Sequence, residues 1–339
     1  MQKRTYLIFF ALLISAICGM SPVQGSSAAQ PQDLLQILPD GSGVIVVDLQ
    51  KVTTSALWST VSAQQKLKGF IDKTQSEISD FGLKLNDMRS MALVFPSAGL
   101  KNPLAAINGR FDEKEVLARL RANTRIKLTT EKYKNFDVYK VQPLPPTDAK
   151  SSSGATDAGT AAGRSDTSFV FRDQSTVVFG AAEGVRASID VINGGRPSIS
   201  QNSALSEGLA QSPTSAIRFA ITGMQSVTNS LQSSELPIPD FSTLKLIYGS
   251  IDIASGIDVN ATLRSDTDEH ARSIADRLNG LLEMARGYLG ATPNSKSASI
   301  ADALKAVSIT SSNAEVKVTG SLSADLLGSL FNPTEKKRQ

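Results

Sequence analysis

The feature that most constrains this chain is a strand that runs straight into a helix over residues 256–289. Ile257, Val259, Ala261 and Leu263 alternate with Asp258, Asn260, Thr262 and Arg264. A period of two gives a strand one dry face and one wet face. Asp266 then stands three residues ahead of Glu269, which predicts an N-cap at Asp266 with Glu in the capping-box position. Ala271, Ile274, Ala275, Leu278, Leu281, Leu282, Ala285 and Leu289 follow at helical spacing, with Arg272, Asp276, Arg277, Glu283 and Arg286 opposite them. The helix must therefore lay one stripe on the dry side of a sheet. Each large aliphatic buried there contributes roughly 1.5–3 kcal/mol, as an upper bound.

The same grammar occurs upstream. Ala105, Ile107, Gly109 and Phe111 alternate with Ala106, Asn108 and Arg110, and Asp112 with Glu115 opens a helix carrying Val116, Leu117 and Leu120 inward. Phe111 and Val116 have the spacing of a hydrophobic staple. Residues 44–47 and 91–95 are apolar runs and predict buried strands. Turn signals at Lys134 and Asn135, Asp173 and Gln174, Ser255, and Ser312 and Asn313 predict hairpins. Helices are expected over 56–83, 184–192, 205–209, 224–231, 300–304 and 324–330, the second stopped by Gly194 and Gly195. Residues 143–167 are rich in Pro, Ser, Gly, Ala and Thr, a composition that predicts a disordered loop.

Each half reads strand, helix, strand, strand, capped helix, strand pair, helix. The pattern predicts an α+β protein of two similar modules, 30–196 and 197–332, followed by a short tail over 333–339. Strands with one wet face predict mostly antiparallel sheet covered by helices on one face.

The N-terminus reads as an export signal. Lys3 and Arg4 precede an apolar run over 6–18, and Val23 and Gly25 are small residues at a cleavage position. Residues 1–25 are expected to be removed, leaving no transmembrane span. An uncleaved anchor and a lipid-modified Cys18 are the alternatives. Ile17 and Ser15 depart from what a lipoprotein signal places before its cysteine. Cys18 is the one cysteine, so the mature chain offers no disulfide, no Cys–His zinc site and no thiol nucleophile. Losing Lys3 and Arg4 takes the formal charge of +3 down by two. No basic stripe of the kind nucleic acid requires is present.

The residues that carry chemistry have ordinary explanations. His270, the one histidine, offers a general base with a neighbouring carboxylate, but a stripe-edge side chain explains it as well. Asp266, Asp268 and Glu269, like Asp112, Glu113 and Glu115, lack the rest of a calcium loop and suit a cap and first turn. Ser242 and Lys245 match Ser-x-x-Lys, yet Lys245 falls in a strand-like run and no Lys-Thr-Gly accompanies it. Gly180 to Gly184 join a strand to a helix without a following Lys-Ser/Thr. Asp40 to Gly43 read as a turn, and Asp48 as a cap after a buried strand. Asn260 opens a sequon in mid-strand, and Lys336 to Arg338 form a short basic tail. No catalytic, cofactor-binding or metal residue is assigned, and no cofactor is expected.

Ile37 to Pro39 followed by Val44 to Leu49, then Asn108 to Asp112, Phe136 to Val141 and Val177 to Gly180, resemble exported bacterial proteins of unknown function. The resemblance covers most of the mature chain and implies export and an α+β repeat. It carries over no site residue. The expected function is that of an exported, non-catalytic binding or scaffold module of the cell envelope. Its partner would be an envelope protein or a hydrophobic ligand. Alternatives are a carboxylate-based hydrolase of envelope glycans, for which aromatic residues at 6% are sparse, and a carrier of a hydrophobic ligand.

Overall fold

The computed structural model describes residues 31–62, 79, 83–96, 102–144, 166–223, 241–291 and 295–331. The expected export signal, most of the loop expected at 143–167, most of the helix expected over 56–83, the helix expected at 224–231 and the tail lie outside the described residues.

Among the described residues the chain forms one continuous sheet of twelve strands, and every pairing is antiparallel. They are β1 (Gly43–Asp48), β2 (Met88–Phe95), β3 (Leu104–Gly109), β4 (Ile126–Tyr133), β5 (Phe136–Pro143), β6 (Thr167–Asp173), β7 (Thr176–Gly180), β8 (Ile217–Ile221), β9 (Leu244–Ile253), β10 (Gly256–Ser265), β11 (Ser308–Ser312) and β12 (Glu315–Ser323). The spatial order is β11-β12-β10-β9-β8-β1-β2-β3-β7-β6-β5-β4. The two halves meet where β1 pairs with β8, in a register that sets Val44 against Ala220 and Val46 against Arg218. Outward from that seam one side runs β9, β10, β12, β11 and the other β2, β3, β7, β6, β5, β4.

The helices are α1 (Leu49–Thr54), α2 (Ala56–Ser62), α3 (Glu113–Ala122), α4 (Ala182–Ile192), α5 (Ser203–Ala210), α6 (Asp268–Ala291), α7 (Ser295–Lys305) and α8 (Ala324–Phe331). α3 forms as its sequence dictates. The Asp112 carboxylate accepts from the Glu115 amide at 3.1 Å. Arg119 pairs with Glu115 one turn earlier at 2.7 Å, and Val116, Leu117 and Leu120 are buried. α4 ends at Gly194, whose φ of +73° favours glycine. Ahead of β1, Pro31–Gln36 form a 3-10 helix.

Helices cover both faces of the centre, which differs from the one-sided covering that the alternation predicted. On one face Val47, Met91, Ile107, Val177 and Tyr139 pack with Leu49, Val52, Leu57, Trp58, Val116, Leu120 and Leu327 of α1, α2, α3 and α8. On the other, Val44, Val46, Val94, Leu104 and Val178 pack with Leu34, Leu38, Val185, Ile189, Leu205 and Leu209. The reason is visible in the strands. Residues 44–47, 91–94 and 104–107 are apolar at both parities, as a strand buried on two sides requires.

The outer strands β10, β12 and β11 do have one wet face. Leu263, Ile247, Val316 and Ile309 meet Ala271, Ile274, Ala275 and Leu278 of α6. Ile257, six residues before Leu263 on β10 and so on the same side, packs with the α1–α3 cluster. Asp258, Asn260, Lys317, Ser321, Ser308 and Thr310 face outward and are exposed. α6 also blunts the sheet edge. Asn279 Nδ2 donates to the Ile309 carbonyl at 3.3 Å, and Arg286 donates to the Leu304 and Val307 carbonyls at 2.7 and 3.1 Å. These bonds satisfy carbonyls at and beside an edge strand that would otherwise invite pairing.

Candidate functional site

The start of α6 collects the groups closest to an acid–base constellation. The His270 imidazole shares a 2.6 Å hydrogen bond from Nδ1 with Asp266 Oδ1. Ser265 Oγ donates to the same Asp266 oxygen at 3.3 Å and lies 3.3 Å from Thr243 Oγ1. In a nucleophilic triad the hydroxyl binds the imidazole, and the carboxylate binds the imidazole's other nitrogen. Here the hydroxyl and the imidazole both meet the carboxylate, which is not that order. Asp266 is not the N-cap that the sequence suggested. The His270 amide is capped by Thr267 Oγ1 at 3.2 Å, and α6 begins at Asp268. Asp266 sits one residue earlier, where its charge offsets an imidazole held near the positive end of a helix.

The His270 hydrogen bond is the main cause holding the Asp266 carboxyl below its usual range. The sign follows from that direction. The pair's contribution is present above the ordinary carboxylate pKa and is lost as pH falls through the lowered one. Both side chains are substantially exposed, so screening keeps the contribution small.

Several other acids are also engaged. Glu113 Oε1 accepts from the Tyr139 hydroxyl at 2.8 Å. Burial, and then that hydrogen bond, push Tyr139 up to about 12. A raised folded value means that the contribution is complete below pH 10 and is lost as pH rises through about 12. Tyr139→Phe should cost about 1–2 kcal/mol at neutral pH. It should also flatten the alkaline loss of stability between pH 10 and about 12, read by urea denaturation at stepped pH.

Asp48 caps α1, accepting from the Lys51 amide at 2.9 Å. Asp40 Oδ1 accepts from the Gly41 amide at 2.8 Å and from Asn202 Nδ2 at 2.9 Å. Lys245 is exposed on β9, not on a helix with Ser242. The glycines at 180 and 184 serve packing. A Cβ at Gly180 would lie 3.0 Å from the Leu104 side chain, and one at Gly184 3.2 Å from it. Asn260 is exposed on β10, and Lys336 to Arg338 lie outside the described residues.

The paired carboxylates that a glycan hydrolase requires have one counterpart by register. Asp252 and Asp258 are direct cross-strand partners. Both oxygens of Asp252 are taken, by Ser215 Oγ at 2.7 Å and the Ala216 amide at 3.3 Å. Like charges directly opposite one another destabilise a strand pair. Asp258→Asn should therefore stabilise the protein by about 0.2–1 kcal/mol, measured by thermal unfolding at low salt.

Sequence reading missed three groupings. Arg264 bonds Glu315 at 2.8 Å and Glu207 at 3.0 Å, and its guanidinium lies over the Tyr248 ring. These contacts hold its proton more tightly than usual and tie α5 to β10 and β12. Arg186 bonds Glu131, and both Arg186 and Lys134 lie over Tyr133 beside Asp190. The third is a buried polar band of Arg218, Ser250, Ser90 and Asn108. An open, polar cavity of about 400 Å³ lies where α4 ends, between Gln36, Gly195, Arg196 and Gln201. Among the described residues no helix is long and apolar enough to cross a membrane.

No family model matches the chain. No curated protein matches it. Solved structures of the protein TP0453 are similar to it. Crystal form III is 11% identical with a TM-score of 0.48, the match covering 90% of this chain and 98% of that one. Crystal form I is 11% identical at 0.46, over 90% and 97%. Crystal form IV is 13% identical at 0.45, over 90% and 96%. A likeness this distant says nothing of what the chain binds.

Proposed function

We propose that this chain is an exported, non-catalytic binding module of the bacterial cell envelope, built from two like α+β units. The supporting observation is where its reactive groups go. Asp48 and Asp112 are consumed as caps, and the Ser265 hydroxyl serves the same carboxylate as His270 rather than the imidazole. Export rests on the charged, apolar and small-residue pattern of residues 1–25. The two-unit reading draws on a partial likeness in strand order: two strands and then a reversed hairpin follow the seam on each side, while β5 and β4 extend one side only. The polar face of β10, β12 and β11 is the surface offered to a partner.

The experiment is expression in a bacterial host with mass spectrometry of the mature N-terminus, followed by cross-linking in envelope extract. The reading expects a chain lacking residues 1–25 and a recovered envelope partner. An intact Met1 with no cross-linked partner contradicts it.

A second reading, a carrier of a hydrophobic ligand, is favoured by one feature. Ile45, Phe219, Ile221, Ile247 and Val259 share the α1–α3 face of the sheet and are only half-buried. Native mass spectrometry of protein purified without detergent should then show an added lipid-sized mass. A uniformly bare chain removes this reading.

A further inference from the structure

β4 ends the sheet, with β5 on one side of it and no strand on the other among the described residues. At the opposite end, the Asn279 side chain of α6 bonds a carbonyl of β11. The parity of β4 fixes what its edge presents. Tyr133 and Phe136 flank a two-residue turn and are direct partners, and such a closing pair exchanges both of its backbone hydrogen bonds. At the far end of the same ladder the Leu144 amide donates to the Arg125 carbonyl at 2.8 Å. Odd-numbered residues therefore bond toward β5, and even-numbered ones turn their N–H and C=O groups to the open edge. The Ile126 amide bends back to the Asn123 carbonyl at 3.4 Å. Leu128, Thr130 and Lys132 have no backbone partner beyond the β4–β5 ladder among the described residues.

The side chains of β4 divide by the same parity. Ile126 and Leu128 are half-buried and pack against the α1–α3 cluster. Lys127 and Glu131 lie on the other face, where Arg186 of α4 bonds Glu131 at 2.6 Å. Lysine commonly guards a free strand edge. Lys132, however, is already held within its own hairpin by Asp137 at 3.3 Å, and Lys127 stands four residues from a carboxylate on its own face. A strand with a cation near one end and an acid near the other is complementary to itself when reversed.

We propose that this edge takes a second copy of the chain, β4 against β4, antiparallel about a two-fold axis through Thr129. Hydrogen bonds are exchanged only in registers that set outward-turned residues against each other. Centring on Thr129 does this. Leu128 exchanges both bonds with Thr130 of the second copy, and Lys132 donates to that copy's Ile126 carbonyl. Direct partners share a face, so Lys127 lies opposite Glu131 of the second copy, and Glu131 opposite its Lys127. Leu128 meets its own counterpart on the diagonal, which extends the apolar side of the edge. Moving the register by two residues in either direction loses the match of Lys127 with Glu131. The axis stands perpendicular to the sheet, so the two β11 ends lie far apart, and the polar faces offered to a partner stay open in both copies.

The test is sedimentation velocity of the purified protein, with cysteine cross-linking in a Cys18→Ser background. Wild type should pass from monomer to dimer as its concentration rises. Thr129 faces its counterpart as a non-hydrogen-bonded pair, with about 4.5 Å between Cα atoms, which is within disulfide reach. Thr129→Cys should therefore give a disulfide-linked dimer on mild oxidation. Lys132→Cys, set far from its counterpart in this register, should not. Lys127→Glu should weaken the dimer about tenfold or more, as should Glu131→Lys. An equimolar mixture of the two should restore it, because each opposed pair then joins an acid to a base. Lys127→Glu and the two cysteine variants still decide the matter if Glu131→Lys does not fold. Protein that stays monomeric at every concentration overturns the proposal. So does a dimer that is indifferent to Lys127→Glu, or that cross-links equally through both cysteines. Each of these results leaves the binding-module reading standing, since that reading rests on other groups.

Discussion

Val44→Asp and Val47→Asp should each unfold the protein under conditions where the parent is stable, at a cost of at least about 4 kcal/mol. Both valines are fully buried, but they face opposite sides of β1. Val44 meets Leu34, Leu38 and Val94 in one cluster, while Val47 meets Leu49, Met91 and Ile107 in the other. A carboxylate at either position would be stranded without a partner. A sheet with one solvated face would tolerate one of the two. Thr310→Asp on the exposed side of β11 is the control and should change stability by no more than about 0.5 kcal/mol. Urea denaturation followed by circular dichroism reads all three.

Gly249→Val has the second largest expected effect, a loss of roughly 3–5 kcal/mol. An added Cβ at Gly249 would lie 2.2 Å from the Asn260 carbonyl oxygen and 2.7 Å from the Phe219 ring. The first contact is with backbone of the neighbouring strand, which cannot yield without parting β9 from β10. Gly280→Ala on α6 is the opposite case, since nothing lies within 4 Å of a Cβ there. It should stabilise the protein by about 0.5–1 kcal/mol. Melting temperatures of the two variants should therefore move in opposite directions.

What was legible in the sequence was local. Asp112 caps a helix because its partner, the Glu115 amide, is three residues away. The Leu263 side of β10 faces α6 because alternation is a property of adjacent residues. The hairpin turn at Lys134 and Asn135 is legible for the same reason, whereas the one expected at Ser312 and Asn313 falls one residue later, at Asn313 and Ala314, and three residues of positive φ accommodate the two reversals. The cap of α6 was misread by one residue, because Asp266 and Thr267 are both good caps and the choice turned on Asp266 pairing with His270.

What was not legible depended on distance along the chain. Nothing near residues 43–48 announces that they pair with 217–221, so one continuous sheet could not be told from two. The apolar runs at 44–47 and 104–107 signal burial on both faces, whereas the alternation of β10 signals burial on one. Arg264 bonds Glu315 and Glu207, 51 and 57 residues away, and Arg218 is buried by a register no local pattern encodes. The same separation hides the polar band of Ser90 and Asn108.

The β8–β1 seam joins the two halves into one sheet. Native-state amide hydrogen exchange in peptides covering 43–48 and 217–221 tests it most directly. The seam lies between further strands on both sides, so its amides should exchange only on global unfolding, among the slowest in the chain and together with those of β2 and β9. Rapid exchange at the seam, with each half protected separately and unfolding at its own urea midpoint, would contradict the account.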